Sequence, residues 1–240
     1  NLFSIIYFLP EMERLFVLTP SARRNFIDRL IFNYNKKYNL LINLYKKNIL
    51  ERNILLKKNY FDESWIVELE NNIVNYGSQI YKYRMNHIEI INTILKNLDI
   101  LKTFSHKFMI KISDNFLSEN PYIYEKKDEY VLKLKESRKL DFISGGAQIG
   151  PHRSDINGYK IDNNFSLSQF STGQQKTAIL LIIISQCKYL IDTLNLNPIV
   201  LLDEVCSHLD NNNRELLLYL IEELKVQVFM TGTEKYLFSF

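Results

Sequence analysis

From Ser21 to about Phe116 the chain contains no proline and one glycine, Gly77. Over the same stretch apolar residues recur at helical spacing: Phe26, Ile27, Leu30 and Ile31, then Leu40, Leu41, Leu44 and Tyr45, then Ile54 and Leu55, and later Ile88, Ile91 and Leu95. Glycine and proline are the strongest interrupters of regular structure, so this region predicts at least three long helices. Breaks are expected near "NYFDES" and again in the 113–121 region. Thr19 or Ser21 can cap the first helix with Pro20 in its first turn, and Asp62 or Ser64 can cap a later one that opens with Trp65. Helices with polar faces and such stripes pack as hairpins or coiled-coil-like arms.

The flanks read differently. Residues 2–9 form a continuous apolar run ended by Pro10, the pattern of a buried strand. In the second half, "PIVLL" (198–202) and "VQVFMTGT" (226–233) are buried-strand runs. Between and before them lie an apolar helix from "STGQQKTAILLIIISQC" and an amphipathic one from "NNNRELLLYLIEELK". Strand–helix–strand order with fully apolar strands predicts an α/β core with a mostly parallel sheet covered on both faces. The segment 141–162 holds four of the seven glycines, and alternation around Asn157-Gly158 predicts a hairpin turning there. The expected organisation is therefore 1–20 as one part of a core, 21–140 as a large inserted helical lobe, and 141–240 as the return to the core.

Charge is uneven. Residues 21–112 carry 16 Lys/Arg against 8 Asp/Glu, while 113–240 carry 13 against 17. The basic excess marks the first half as the place where an anionic partner would dock, or else a solvated helical surface. The two cysteines, Cys187 and Cys206, have no metal-ligand spacing and read as reduced thiols, which with no visible signal peptide points to the cytoplasm. His87, His106 and His208 are scattered without metal spacing. No run is long enough to span a bilayer; the longest, "AILLIII", stops at Ser185 and Gln186. The chain starts at Asn1 within an apolar run and stops on "YLFSF", so both ends are expected to be cuts in a longer protein.

Two motifs carry chemistry. In "IVLLDEVCSHLD" (199–210) an apolar strand delivers Asp203 and Glu204 to the edge of the sheet, where α/β proteins bind ligands. Asp203 is placed to hold Mg²⁺ and Glu204 to polarise an attacking water, jobs that phosphoryl transfer needs close together. The plain alternative is an acidic strand end leading into a loop. In "FSTGQQ" (170–175) Ser171, the amide of Gly173 and the following helix start make an anion-binding terminus, or an ordinary Ser cap.

Ser-x-Gly-Gln, then an apolar strand ending in Asp-Glu, then "SHLD", resembles the signature, Walker B and D-loop series of ABC-type ATPases. "FLPEMERLFVLTPSARRNFIDRL", "LLINLYKKNILERNILLKK", "GPHRSDI", "FSTGQQKTAILL", "VLLDEVCSHLD" and "VFMTGTEKYLF" together resemble the RecF family of bacterial DNA replication and repair proteins. Rad50- and SMC-like relatives share the ATPase words but carry long heptad arms, and the helical insertion here is too short for those. The resemblance implies an ABC-type ATPase core, partial in this chain, with an inserted helical lobe. It implies Ser171, Gly173 and Gln174 as the signature loop reaching the γ-phosphate held by a second subunit. Asp203 becomes the Walker B carboxylate and Mg²⁺ ligand, Glu204 the catalytic carboxylate, and Ser207, Leu209 and Asp210 the D-loop. Thr231 and Thr233 fall where many relatives have a switch histidine, with Thr231 able to hydrogen-bond a phosphate. Arg23, Arg24, His152 and Arg153 are candidates for contact with DNA; alternatively the arginines at the helix start face solvent, and Gly150 and Pro151 simply shape a turn.

A whole RecF-like protein would bind ATP and Mg²⁺, form an ATP-dependent homodimer and bind single-stranded or gapped duplex DNA. It would support recombinase loading and SOS induction with RecO- and RecR-like partners. Hydrolysis would then release the dimer. No G-x-x-x-x-G-K-[ST] occurs in the chain. The nearest imitation, "GGAQIGPHRS", has Pro151 where the lysine belongs, and proline has no N–H to offer a phosphate. The phosphate loop is therefore expected in a segment before Asn1. Without it the chain reads as a truncated ATPase, or as a non-catalytic DNA- or partner-binding piece of a split gene. The strands "VLLDE" and "VQVFM" are each expected to expose an edge.

Overall fold

The computed structural model describes residues 4–58, 62–98, 107–207 and 209–233. The readings made above for residues 1–3, His106, His208 and the terminal "YLFSF" lie outside them. The chain divides into two compact units, one built from residues 1–34, 87–111 and 156–240, the other from 35–86 and 112–155.

The first unit is organised by a three-stranded parallel sheet in the order β1 (Ser4–Phe8), β4 (Pro198–Leu202), β5 (Val228–Met230). Register runs from Ser4 opposite Pro198 to Phe8 opposite Leu202, and Val200–Leu202 face Val228–Met230. Because side chains alternate along a strand, Ser4, Ile6, Phe8, Val200 and Leu202 are buried on one face. Helix α6 (Thr172–Lys188) belongs to that same core. Every residue of α6 from Gln175 to Cys187 is buried, as an all-round apolar helix requires. Helices α1 (Pro20–Tyr34) and α7 (Asn211–Glu223) also belong to the unit. Thr19 Oγ1 accepts the Ala22 amide at 3.4 Å, so the first helix is capped by Thr19.

Two expectations about the sheet need correction. Its other face is only partly covered among the described residues: Tyr7 lies under Arg29, but Ile5, Leu201 and Phe229 are exposed there. Nor is "VLLDE" an edge, since β4 is the central strand with β1 on one side and β5 on the other; β5 does lie at the edge.

Strand β2 (Phe108–Ser113) pairs with β3 (Asp155–Lys160). The helical rhythm of the first half therefore stops before β2 rather than continuing to Phe116. The predicted turn at Asn157-Gly158 also moves, because both residues lie inside β3. The chain reverses at 161–165 instead, where Lys160 N–H donates to Phe165 O at 2.8 Å, Tyr159 pairs antiparallel with Ser166, and Asn164 takes φ +55°. Gly158 is required for closeness: a Cβ there would lie 2.2 Å from Leu167 Cδ1.

In the second unit α2 (Lys37–Leu56), the first part of α3 (Glu63–Asn97) and α5 (Lys127–Ser144) surround a buried charge cluster. The start of α3 is capped by Asp62, whose Oδ1 accepts the Ser64 amide at 2.8 Å. The short helix α4 (Asn115–Glu119) is capped by Asp114. Asp114 also accepts the buried Tyr81 hydroxyl at 2.8 Å and the Ser154 hydroxyl at 2.5 Å. Among the described residues no helix is long and apolar enough to cross a membrane.

Candidate functional site

The acidic pair stands at the C-terminal end of the central strand. Asp203 follows Leu202 directly, and its amide donates to Phe8 O at 3.0 Å, which extends the β1–β4 ladder by one bond. Asp203 is half-buried and Glu204 exposed. Thr231, just past β5, is bound to both. Its amide donates to Leu202 O at 3.0 Å, its hydroxyl donates to Asp203 Oδ1 and the same hydroxyl accepts the Glu204 amide at 2.9 Å.

Glu204 has φ +46°, the left-handed region that costs a non-glycine residue about 1–2 kcal/mol. Its carbonyl oxygen collects three donors: the Ser207 hydroxyl at 2.7 Å, the Ser207 amide at 3.2 Å and the Lys176 ammonium at 2.8 Å. The backbone is thus gripped from both sides while the side chain faces solvent. Lys176 is fully buried on α6, and besides Glu204 O it reaches Glu13 Oε1 at 2.6 Å and Ser207 O at 2.8 Å. Buried ammonium groups need such partners, because desolvation otherwise expels the charge.

The start of α6 is a complete capping box. Ser171 Oγ accepts the Gln174 amide at 3.4 Å, and Gln174 Oε1 accepts the Ser171 amide at 3.1 Å. The first bond within the helix runs from Gln175 N–H to Ser171 O, so the amides of Thr172 and Gly173 precede the helical ladder. Gly173 O accepts the Thr177 hydroxyl at 2.9 Å. Asp210 caps α7, accepting the Asn213 amide and its side-chain amide, each at 2.8 Å. Ser207 and Leu209 are half-buried, and Thr233 is exposed.

The first unit holds both thiols, and burial raises the pKa of each. Cys187 is pushed up to about 12; Cys206 also rises, with Arg214 and Lys176 pulling the other way. Neither has the character of a reactive thiolate.

The basic candidates have contacts of their own. Arg23 is buried, and its Nη1 donates to Phe16 O at 3.1 Å and to Leu18 O, tying down the turn before α1. Arg24 is half-buried. In the second unit His152 Nε2 lies 3.0 Å from Ala147 O, so that nitrogen carries the proton. Nδ1 then accepts the Tyr45 hydroxyl at 2.7 Å. Arg153 is exposed, with Nε donating to Ala147 O at 2.9 Å. Gly150 takes φ +123°, and a Cβ there would lie 2.4 Å from Tyr45 Oη, so the "GPHR" turn can only be glycine at that point.

The donor set suits Mg²⁺ of the kind that takes one or two protein carboxylates and completes its shell with water and phosphate oxygens. Asp203 would supply such a carboxylate, with the exposed Glu204 carboxylate next to it in sequence. Among the described residues no cluster of three or more His, Cys, Asp or Glu forms a protein-only metal cage.

Residues 21–231 match the family described as "AAA domain, putative AbiEii toxin, Type IV TA system". The DNA replication and repair protein RecF of Rickettsia felis is 29% identical over 235 residues, which is 96% of this chain and 63% of that protein. The protein of the same name from Clostridium perfringens is 30% identical over 233 residues, 97% of this chain and 63% of that one. A solved structure of the recombination mediator protein RecF-ATP in the RecFOR pathway superposes with a TM-score of 0.80 at 26% identity, over 97% of this chain and 63% of its own.

The chain belongs to this AAA-domain family and is a RecF-family protein. Its fold is the ABC-type ATPase architecture of RecF, α/β with a parallel sheet. The chain spans 63% of the length of the relatives it matches. In this RecF-family chain Lys176, which ties Glu13 to the acidic turn, was not singled out by sequence reasoning. The signal was present: a lysine two residues before the apolar run "AILLIII" must find oxygen partners inside the protein.

Proposed function

We propose that this chain supplies the signature, Walker B and D-loop elements of a RecF-like ATPase acting in DNA replication and recombinational repair. The observation that carries this reading is the Asp203–Glu204 pair at the C-terminal end of the central parallel strand, with its backbone fixed by Thr231. Asp203 would hold Mg²⁺, which when bound neutralises phosphate charge. The exposed Glu204 carboxylate would orient and accept a proton from the attacking water. Ser171, Gly173 and Gln174 would meet the γ-phosphate of ATP held by a second copy, where a helix start favours an anion. Leu209 and Asp210 would lie along that same homodimer contact.

In this proposal the ATP-bound dimer binds single-stranded or gapped duplex DNA in the cytoplasm, with Arg24 and Arg153 as candidate phosphate contacts. RecO- and RecR-like proteins join it there to support recombinase loading and SOS induction, and hydrolysis drives release. The solved relative carries ATP in its name and belongs to the RecFOR pathway, which supports ATP as the substrate and those partners as the class to test.

The experiment measures Mg²⁺-dependent ATP hydrolysis with DNA, for this chain alone and for the chain joined to a phosphate-loop segment from a RecF relative. Each is paired with Glu204→Gln. Turnover in the joined protein only, abolished by Glu204→Gln, is the expected result. The basic excess of residues 21–112, 16 Lys/Arg against 8 Asp/Glu, supports a second reading: a DNA- or partner-binding piece without turnover. DNA binding with no hydrolysis in either form would establish that second reading and remove the first.

A further inference from the structure

Lys176 occupies an unusual place. It lies one turn inside α6, five residues after Ser171, and its side chain is fully buried. The ammonium offers three N–H groups, and three strong acceptors meet them: Glu13 Oε1 at 2.6 Å, Glu204 O at 2.8 Å and Ser207 O at 2.8 Å. Ser207 Oγ stands slightly farther away at 3.0 Å and itself donates to Glu204 O. A methionine would fill the same space without desolvating a charge. What the ammonium adds is direction: it binds carbonyls at both ends of the turn that Glu204 opens in a left-handed conformation and Ser207 closes.

We propose that Lys176 is a positioning residue for Glu204, holding the Glu204–Ser207 turn in shape and tying it to the Ser171–Gln174 helix start. The role of Glu204 in hydrolysis rests on the ATPase reading above; the clamp itself rests only on the geometry. Because α6 is a rigid element packed in the core, this side chain links its first turn to the Glu204 turn. A ligand that seats against the helix start therefore meets a carboxylate whose backbone is referenced to the same helix. Glu13 neutralises the ammonium from the remaining side, which separates two jobs. Removing Glu13 takes away charge balance and leaves the carbonyl bonds, whereas removing Lys176 takes away both.

Two measurements test this with Lys176→Met and Glu13→Gln. Amide hydrogen exchange on the chain itself, read by mass spectrometry, should rise about tenfold or more in residues 204–207 of Lys176→Met, as expected when a local turn opens without global unfolding. Protection across 178–187 should stay unchanged. Glu13→Gln should lower the melting temperature while leaving exchange at 204–207 near that of the parent. Unchanged exchange at 204–207 in Lys176→Met, or an equal loss of protection across 178–187, overturns the proposal. In the joined, ATP-hydrolysing protein, Lys176→Met should lower kcat by up to about 100-fold with KM for ATP nearly unchanged, since small misplacements of a catalytic group cost that much. An unchanged kcat in Lys176→Met means that Glu204 is positioned without it, and sinks the idea. If Glu204→Gln leaves turnover intact, the ATPase reading fails while the exchange measurement still decides the clamp.

Discussion

Thr231 donates its hydroxyl proton to Asp203 and, through the same oxygen, accepts the amide of Glu204. One residue, 28 positions along the chain from Asp203, thus fixes the direction of that carboxylate and the backbone of the next residue. Thr231→Val removes both bonds at nearly constant volume. The expected stability loss is small, about 1 kcal/mol, because the group is exposed. Turnover in the joined protein should fall about tenfold with little change in KM, as for a lost transition-state contact. Thr231→Ser should retain most of the activity. The sequence suggested direct contact between Thr231 and phosphate; in that case KM for ATP would rise instead, so the two roles separate on one set of steady-state measurements.

Arg52 carries the second prediction. It is fully buried in the second unit and bonds Glu70 Oε1 at 2.9 Å, Asp141 Oδ2 at 2.6 Å and Leu134 O at 2.7 Å. Arg138 reaches the same Glu70, at 2.9 Å from Nε and 2.7 Å from Nη2. This cluster joins α2, α3 and α5. Arg52→Met should cost about 3–5 kcal/mol in urea unfolding, since it leaves two buried carboxylates short of a partner. Arg52→Lys should recover only part of that, because an ammonium cannot span the three acceptors as a planar fork does. A loss under about 1 kcal/mol for Arg52→Met would show that the cluster does not hold the unit together.

What the sequence could reveal followed the range of the interaction. Continuous apolar strands, the Thr19 and Asp62 caps and the helix running from Ser171 depend on neighbours within a few residues, and they were legible. Strand β2 was hidden because "FMIKIS" sits at the end of a stretch with helical rhythm and no glycine or proline to interrupt it. The Asn157-Gly158 pair looked like a turn, yet the glycine is there because Leu167 occupies the space a Cβ would need. Partners far apart in sequence, such as Lys176 with Glu13 or Arg52 with Asp141, were invisible until the chain was folded. For the acidic turn, the residue types and their order were readable. The left-handed backbone of Glu204 and the three donors on its carbonyl were not.

Gly158 gives the third prediction. A Cβ at this position would meet Leu167 Cδ1 at 2.2 Å, Leu167 Cγ at 2.8 Å and Phe16 Cε1 at 3.2 Å. Leu167 is fully buried and cannot swing outward without opening a cavity. Gly158→Ala should therefore destabilise the protein by about 1–3 kcal/mol, the usual cost of overpacking. Adding Leu167→Ala should cost less in the Gly158→Ala background than in the parent, because the new methyl fills part of the space that the leucine leaves. Strict additivity in a double-mutant cycle would mean that the two side chains do not compete for one site.

His87 makes stability depend on pH. The ring is buried in the first unit, stacked on Tyr34 at 5.7 Å between centroids and edge-on to Tyr189, with Nδ1 3.4 Å from the Tyr34 hydroxyl. Among the described residues Nε2 has no hydrogen-bond partner. Burial alone lowers the pKa from 6.5 to about 4. The unfolded chain therefore takes up a proton at His87 at a higher pH than the folded chain does. Stability from this group is fully present above pH 6.5 and declines as pH falls toward 4, by up to about 3 kcal/mol over that window. Carboxylates in the protein add their own acid dependence below about pH 5, so the diagnostic interval is pH 6.5 to 5. His87→Phe should flatten the unfolding free energy across that interval while leaving the steeper loss below it. A parent protein whose urea midpoint does not fall between pH 6.5 and 5, or a His87→Phe variant with the parent's slope there, would assign the acid sensitivity to other groups.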